Sequence, residues 1–213
     1  MKLLPQLFII SAITISACQN NIKNNSNSNS ALNNDSLVIK KTDTIKQIKT
    51  QEVKFAIALS ANAIQLVNQS TGSTREIAFG MPLKQLIEIV EKVLESKPTI
   101  IVNSECGAGP LKFATWDNGL TLLFQEKKKD EWLFAGWAAN SAKNTDTKLT
   151  TMANVGIGTS KKETESAYVI NVTKTSLGYE FSTKSNDLFG IFDGPNENAK
   201  ITNLWSGVSC NFR

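Results

Sequence analysis

The side chains that could do chemistry in this sequence are three cysteines and a set of carboxylates, and histidine is absent. Without histidine the chain cannot build a Ser-His-Asp or Cys-His nucleophile, and it lacks a usual zinc ligand. The Gly-rich stretch 107–110 has neither the lysine nor the spacing of a phosphate-binding loop. We therefore expect no metal and no cofactor.

A pair of carboxylates could still serve a glycoside hydrolase, because two such groups flank the glycosidic bond in these enzymes. The candidates nearest to predicted turns and strand ends are Asp117, Asp193, Glu105 and Glu180. Asp117 and Asp193 are better interpreted as turn formers, since they begin Asp-Asn-Gly and Asp-Gly-Pro sequences. A carboxylate-dependent hydrolase of cell-wall glycan is the alternative function.

Tryptophan rings could line a sugar-binding surface, because flat aromatic faces suit sugar rings. Alternation along the predicted strands indicates instead that Trp116, Trp137 and Trp205 fill the core. Glycan binding stays part of the alternative.

Residues 1–17 have the three parts of a secretory signal: a positive charge at Lys2, an apolar stretch, and small residues before the cleavage position. The apolar stretch is too short and too interrupted to span ~30 Å of hydrocarbon. Ile15-Ser16-Ala17-Cys18 resembles the lipobox of bacterial lipoproteins, in which the cysteine sulfur takes a diacylglycerol. This resemblance implies cleavage before Cys18 and lipidation of that residue; an ordinary cleaved signal is the alternative.

Residues 18–50 are interpreted as the lipidated cysteine followed by a flexible tether, because the stretch is rich in Asn, Ser and Lys. The chain carries a formal charge of +4, but basic and acidic residues are equal in number from residue 60 onward. The excess near the anchor can attract anionic headgroups, and the domain has no electrostatic footprint for nucleic acid. Gln19, by resemblance to lipoprotein sorting signals, implies an outer-membrane location facing the periplasm.

Cys106 and Cys210 remain once Cys18 is assigned to lipid. An even pair in an oxidising compartment favours a disulfide that staples the C-terminus to the first half of the domain. A reactive or metal-binding thiol pair is the rival interpretation, and the missing histidine and missing C-x-x-C spacing weigh against it.

Local patterns predict two helices among antiparallel strands. Apolar residues between 83 and 94 recur at helical spacing behind Pro82, and Ser160 with Glu163 forms a capping box for a shorter helix. Asp117-Asn118-Gly119 lies between two apolar strands and is the strongest hairpin signal.

The second series of helix and strands resembles the first, with Gly80 aligned on Gly158. The sequence therefore predicts an α+β fold for the globular domain 51–213. It would consist of two helix-plus-antiparallel-sheet pseudo-repeats, at about 62–140 and 141–213. Each would be too small to bury a core alone, so we expect them to pack as one domain.

This pattern, an apolar-Gly-x-[Ser/Pro] turn that opens a short amphipathic helix before antiparallel strands, covers about residues 77–205. It resembles the modules of the outer-membrane-assembly lipoprotein BamE (SmpA/OmlA) and of the β-lactamase inhibitor proteins. The stretch 105–111, Trp116, the stretch 119–124 and Gly156-Ile157-Gly158 resemble a family of exported bacterial proteins without assigned function. These resemblances imply a shared fold and no catalytic residue.

The sequence thus predicts a membrane-anchored lipoprotein of the cell envelope. Its domain is expected to be a non-catalytic binding module for an envelope protein or polymer.

Overall fold

The computed structural model describes residues 53–142, 148–185 and 187–210. The predicted signal 1–17, the lipidation site Cys18 and the rest of the tether 18–50 lie outside the described residues. The helices in the described ranges are α1 (Leu83–Leu94) and α2 (Lys161–Ala167). The strands there are β1 (Phe55–Ser60), β2 (Ala63–Asn68), β3 (Thr74–Ala78), β4 (Thr99–Asn103), β5 (Leu111–Thr115), β6 (Leu120–Lys128), β7 (Glu131–Asn140), β8 (Ile170–Thr175), β9 (Gly178–Thr183), β10 (Phe189–Phe192) and β11 (Ile201–Gly207).

β1, β2 and β3 form a small antiparallel sheet in chain order. The β1–β2 turn places Asn62 at a φ of 62°, a left-handed conformation that asparagine adopts more readily than most residues. The cross-strand register puts buried apolar side chains on one face of this sheet: Ile57, Leu59, Ile64, Leu66 and Ile77. That face closes one side of the core.

The helix predicted behind Pro82 is confirmed as α1. Leu86, Ile87 and Val90 form its buried stripe. Glu95 ends the helix with a φ of 51°, the left-handed conformation that commonly terminates helices.

The other strands form one antiparallel sheet in the order β4-β5-β6-β7-β11-β10-β9-β8. The predicted hairpin at Asp117-Asn118-Gly119 joins β5 to β6, and Gly119 has the positive φ, 88°, that suits glycine in a tight turn. β7 pairs with β11 at the centre, where Trp137 lies opposite Ser206. Strands from both halves of the domain therefore join edge to edge.

The predicted capping box is confirmed at the start of α2. Ser160 Oγ accepts the Glu163 N–H at 3.2 Å, and Glu163 Oε2 accepts the Ser160 N–H at 2.8 Å. Within the described ranges, neither helix has the length and apolar character needed to cross a membrane.

One face of the eight-stranded sheet, the small sheet and α1 share the hydrophobic core. Trp137 is fully buried there and donates its Nε1–H to the Ser60 carbonyl oxygen at 2.8 Å. The Leu59 N–H donates to the Thr150 carbonyl oxygen, also at 2.8 Å. These bonds tie the small sheet to the rest of the domain.

The predicted α+β fold of two helix-plus-sheet pseudo-repeats is wrong. Among the described residues the structure is mostly β, with 49% strand and 12% helix, in two antiparallel sheets of three and eight strands. The two series of strands do not form separate modules, because β7 and β11 pair into one continuous sheet and β1–β3 form another. Helical periodicity is a strong local pattern in the sequence, whereas the pairing of residue 137 with residue 206 produces no local sequence pattern.

Candidate functional site

The second face of the eight-stranded sheet is the candidate functional surface. Side chains directly opposite each other on antiparallel strands share a face, and Phe113 pairs with Leu123, Ala138 with Trp205. We call this surface the open face. Its side chains include Thr99, Ile101, Asn103, Leu111, Phe113, Thr115, Thr121, Leu123, Gln125, Ala138, Asn140, Asn171, Thr173, Thr175, Glu180, Ser182, Phe189, Ile191, Asn203 and Trp205.

Charge is nearly absent from the open face. Glu180 is the one ionisable side chain among the residues just named, and it is buried. Lys112 of the same sheet projects to the opposite side, where its Nζ lies 4.4 Å from the ring centroid of Trp132. A solvated sheet face usually carries polar and charged side chains, whereas the centre of a protein interface is depleted of charge. The open face has the second composition.

The C-terminal residues 208–210 cross one half of the open face. The Val208 N–H donates to the Ala135 carbonyl oxygen at 2.9 Å. Gly136 permits this approach, because a Cβ at that position would lie 2.2 Å from the Val208 carbonyl oxygen. Val208 and Cys210 pack against a small buried cluster that includes Leu123.

Cys106 and Cys210 lie at disulfide-bond distance, with their Sγ atoms 2.03 Å apart and their Cα atoms 5.1 Å apart. Cys106 is buried in the loop after β4. The pair therefore holds the C-terminal residues across the open face. In the part of the chain that the structure describes, no group of three His, Cys, Asp or Glu side chains could hold a metal ion.

A pocket of about 250 Å³ opens beside these C-terminal residues, and we call it the central pocket. Ile191 and Trp205 contribute apolar surface to it. On its polar side, Asn203 Nδ2 donates to Asn140 Oδ1 at 2.6 Å. Asn140 is exposed, so its side-chain amide is accessible to a ligand. The central pocket thus combines apolar contact with an accessible side-chain amide.

A second pocket of about 450 Å³, the side pocket, lies on the outer strands of the same face. Phe189 lines the side pocket and stacks on Trp205 of the central pocket, with ring centroids 5.9 Å apart and planes at 15°. The other side chains of the open face around it are mostly short and polar: Asn171, Thr173, Thr175, Glu180 and Ser182. Together the two pockets form a continuous surface with apolar and hydrogen-bonding parts.

The carboxylates considered for glycan hydrolysis are dispersed. Asp117 in the β5–β6 turn and Glu105 in the β4–β5 loop are exposed at opposite ends of β5. Asp193 follows β10 and accepts the Lys200 N–H at 2.7 Å, as its interpretation as a turn former predicts. Glu180 lies on β9, and no two of these four carboxylates are cross-strand partners.

Of the four tryptophans, only Trp132 is partly exposed, and Lys112 Nζ lies over its ring, so the tryptophans do not form a platform. Trp116 and Trp137 belong to the core, as predicted. Trp205 is also buried, but on the open face, where Phe189 covers its ring.

A larger pocket of about 540 Å³ beside the start of α2 is a weaker candidate. Its carboxylate, Glu163, is engaged by the backbone N–H of Ser160 and lies 4.0 Å from Lys200 Nζ. These groups stabilise the helix start and its neighbouring loop, so they are already engaged within the protein.

The residues of the open face that carry its hydrogen-bonding and aromatic character, Asn140, Asn203 and Phe189, are absent from the set of site residues predicted from the sequence. The sequence does carry one sign of this surface on β8. Asn171, Thr173 and Thr175 lie on one side of the strand, and all three are uncharged. This row of uncharged side chains indicates a surface only when the strand order places it beside the corresponding rows of the other seven strands.

No protein-family model, curated protein or solved structure matches this chain.

Proposed function

We propose that this chain is an exported lipoprotein of the cell envelope whose domain binds an envelope protein or polymer without catalysis, through the open face. The lipobox-like Ile15-Ser16-Ala17-Cys18 supports the anchor. The near absence of charge on the open face carries the binding proposal, because a surface of this composition gains most when a partner removes it from water.

The chemistry of the two pockets supports a partner of a particular kind. Ile191 and Phe189 favour apolar groups, whereas Asn140 and Asn203 favour hydrogen-bonding groups. A partner that is neutral along its contact region, and that presents both kinds of group, fits this surface. The dispersal of the four candidate carboxylates gives no support to the hydrolase alternative.

Co-purification from crosslinked cells tests the binding proposal. Asn203→Arg places an unpaired charge at the centre of the open face, so we expect recovery of the partner to fall tenfold or more, equivalent to about 1.4 kcal/mol. Thr74→Arg is the matched control, since Thr74 is exposed on β3 away from this face. Equal recovery by wild type, Asn203→Arg and Thr74→Arg would reject the open face as the binding surface.

Fractionation of cells tests the anchor. Cys18→Ser removes the thiol that lipidation requires, so the protein should move from the membrane to the soluble fraction. Retention of Cys18→Ser in the membrane fraction would contradict lipidation, and recovery of the wild-type protein in the inner membrane would contradict the proposed outer-membrane location.

A further inference from the structure

β4 is an edge strand with unusual exposure of apolar side chains. Ile100, Ile101 and Val102 are 46%, 57% and 54% exposed. β5 pairs with one side of β4, and in the described ranges no strand pairs with the other. Thr99–Asn103 contains no charged residue. Such an edge presents unpaired backbone groups and apolar surface to an incoming strand.

The opposite edge of the same sheet is different. β8 exposes Asn171, Thr173, Lys174 and Thr175, and lysine on an edge strand opposes pairing with another chain. The sheet is therefore protected at β8 and unprotected at β4.

The register of β5 shows which backbone groups of β4 are free. The Trp116 N–H donates to the Leu120 carbonyl oxygen, so even-numbered residues of β5 bond to β6 and odd-numbered residues bond to β4. Phe113 pairs with Ile101 in this register. Consequently Ile100 and Val102 direct their N–H and C=O groups away from the sheet.

We propose that β4 pairs antiparallel with β4 of a second copy of this chain, with Ile101 on the twofold axis. In this register Ile100 lies opposite Val102 of the second copy, so the outward backbone groups of both strands meet. Thr99 lies opposite Asn103, which places polar residues at both ends and apolar residues in the middle. The strand is thus complementary to itself, as a twofold interface requires.

Charge supports the same register. Lys97 precedes the strand and Glu105 follows it, and both side chains are exposed. Pairing about Ile101 directs Lys97 of each copy toward Glu105 of the other. This complementarity singles out a second copy, since an unrelated strand would have no reason to match both charges.

Cysteine crosslinking in cells that express the full chain tests the register. Paired residues on the axis have Cα atoms about 4.5 Å apart, within disulfide reach, so Ile101→Cys should give a reducible dimer. Ile100→Cys is the register control, because its two copies would lie diagonally at ~7–8 Å. Val169→Cys is the collision control, since Val169 is exposed beside β8. A dimer from Val169→Cys as strong as that from Ile101→Cys would overturn the proposal.

Charge reversal gives an independent test that leaves the strand and both pockets unchanged. Lys97→Glu or Glu105→Lys alone places like charges opposite each other twice in the dimer. We therefore expect the dimer dissociation constant of the detergent-solubilised full chain, measured by sedimentation, to rise roughly threefold or more. The double variant Lys97→Glu/Glu105→Lys should recover wild-type association. A monomeric wild-type chain, or a double variant as weak as the singles, would overturn pairing in this register.

Discussion

At the scale of single residues, the cap of α2 gives the clearest titrating interaction. Hydrogen bonds from the Ser160 hydroxyl and the Ser160 backbone N–H hold the pKa of Glu163 below its ordinary value of 4.5. A carboxyl whose pKa is lowered by folding stabilises the folded state above its unfolded pKa, and that contribution is lost as the pH falls through the folded pKa.

We therefore expect acidification below about pH 4.5 to weaken the start of α2. Ser160→Ala removes the hydroxyl, so the pKa of Glu163 should rise toward its ordinary value and the helix should lose about 1 kcal/mol of capping. NMR titration of the Glu163 carboxyl measures the first effect and thermal unfolding the second. An unchanged Glu163 pKa in Ser160→Ala would contradict the cap as its cause.

At the scale of elements, Gly136 on β7 allows the C-terminal residues to lie against the sheet. A Cβ there would approach the Val208 carbonyl oxygen to 2.2 Å and its nitrogen to 2.9 Å, and both atoms belong to the backbone. We expect Gly136→Ala to lower the free energy of unfolding by ~1–3 kcal/mol, measured by denaturant unfolding. Gly107→Ala is the control, because its Cβ would meet nothing within 4 Å. Equal stability of the two variants would show that residues 208–210 do not pack closely against β7.

Local elements could be predicted from the sequence, whereas their assembly could not. The turn at Asn118-Gly119, the α1 stripe and the Ser160 cap depend on neighbours a few residues away, so pattern and spacing suffice. The pairing of Trp137 with Ser206 and the separation of β1–β3 depend on contacts distant in sequence. Without that strand order, the neutral stripes of separate strands cannot be assembled into one open face.

At the scale of the whole molecule, the Cys106–Cys210 link closes a loop with a sequence separation of 104 residues. The chain-entropy estimate for a loop of this size is about 4.7 kcal/mol, an upper figure for the loss in Cys106→Ser/Cys210→Ser. Thermal unfolding of the variant and of reduced wild type should give the same lowered midpoint. Alkylation without reductant should leave both cysteines unmodified, and modification of both would contradict the disulfide.

A photo-crosslinking scan in cells shows whether a partner binds through the open face. A photoreactive side chain at Ile191 or Thr173 reports on the two pockets, and the same side chain at Lys84 or Thr74 reports on α1 and β3. If the open face binds the partner, we expect heavier adducts from Ile191 and Thr173 and none from Lys84 and Thr74. Adducts confined to Lys84 and Thr74, or equal at all four positions, would contradict binding through the open face.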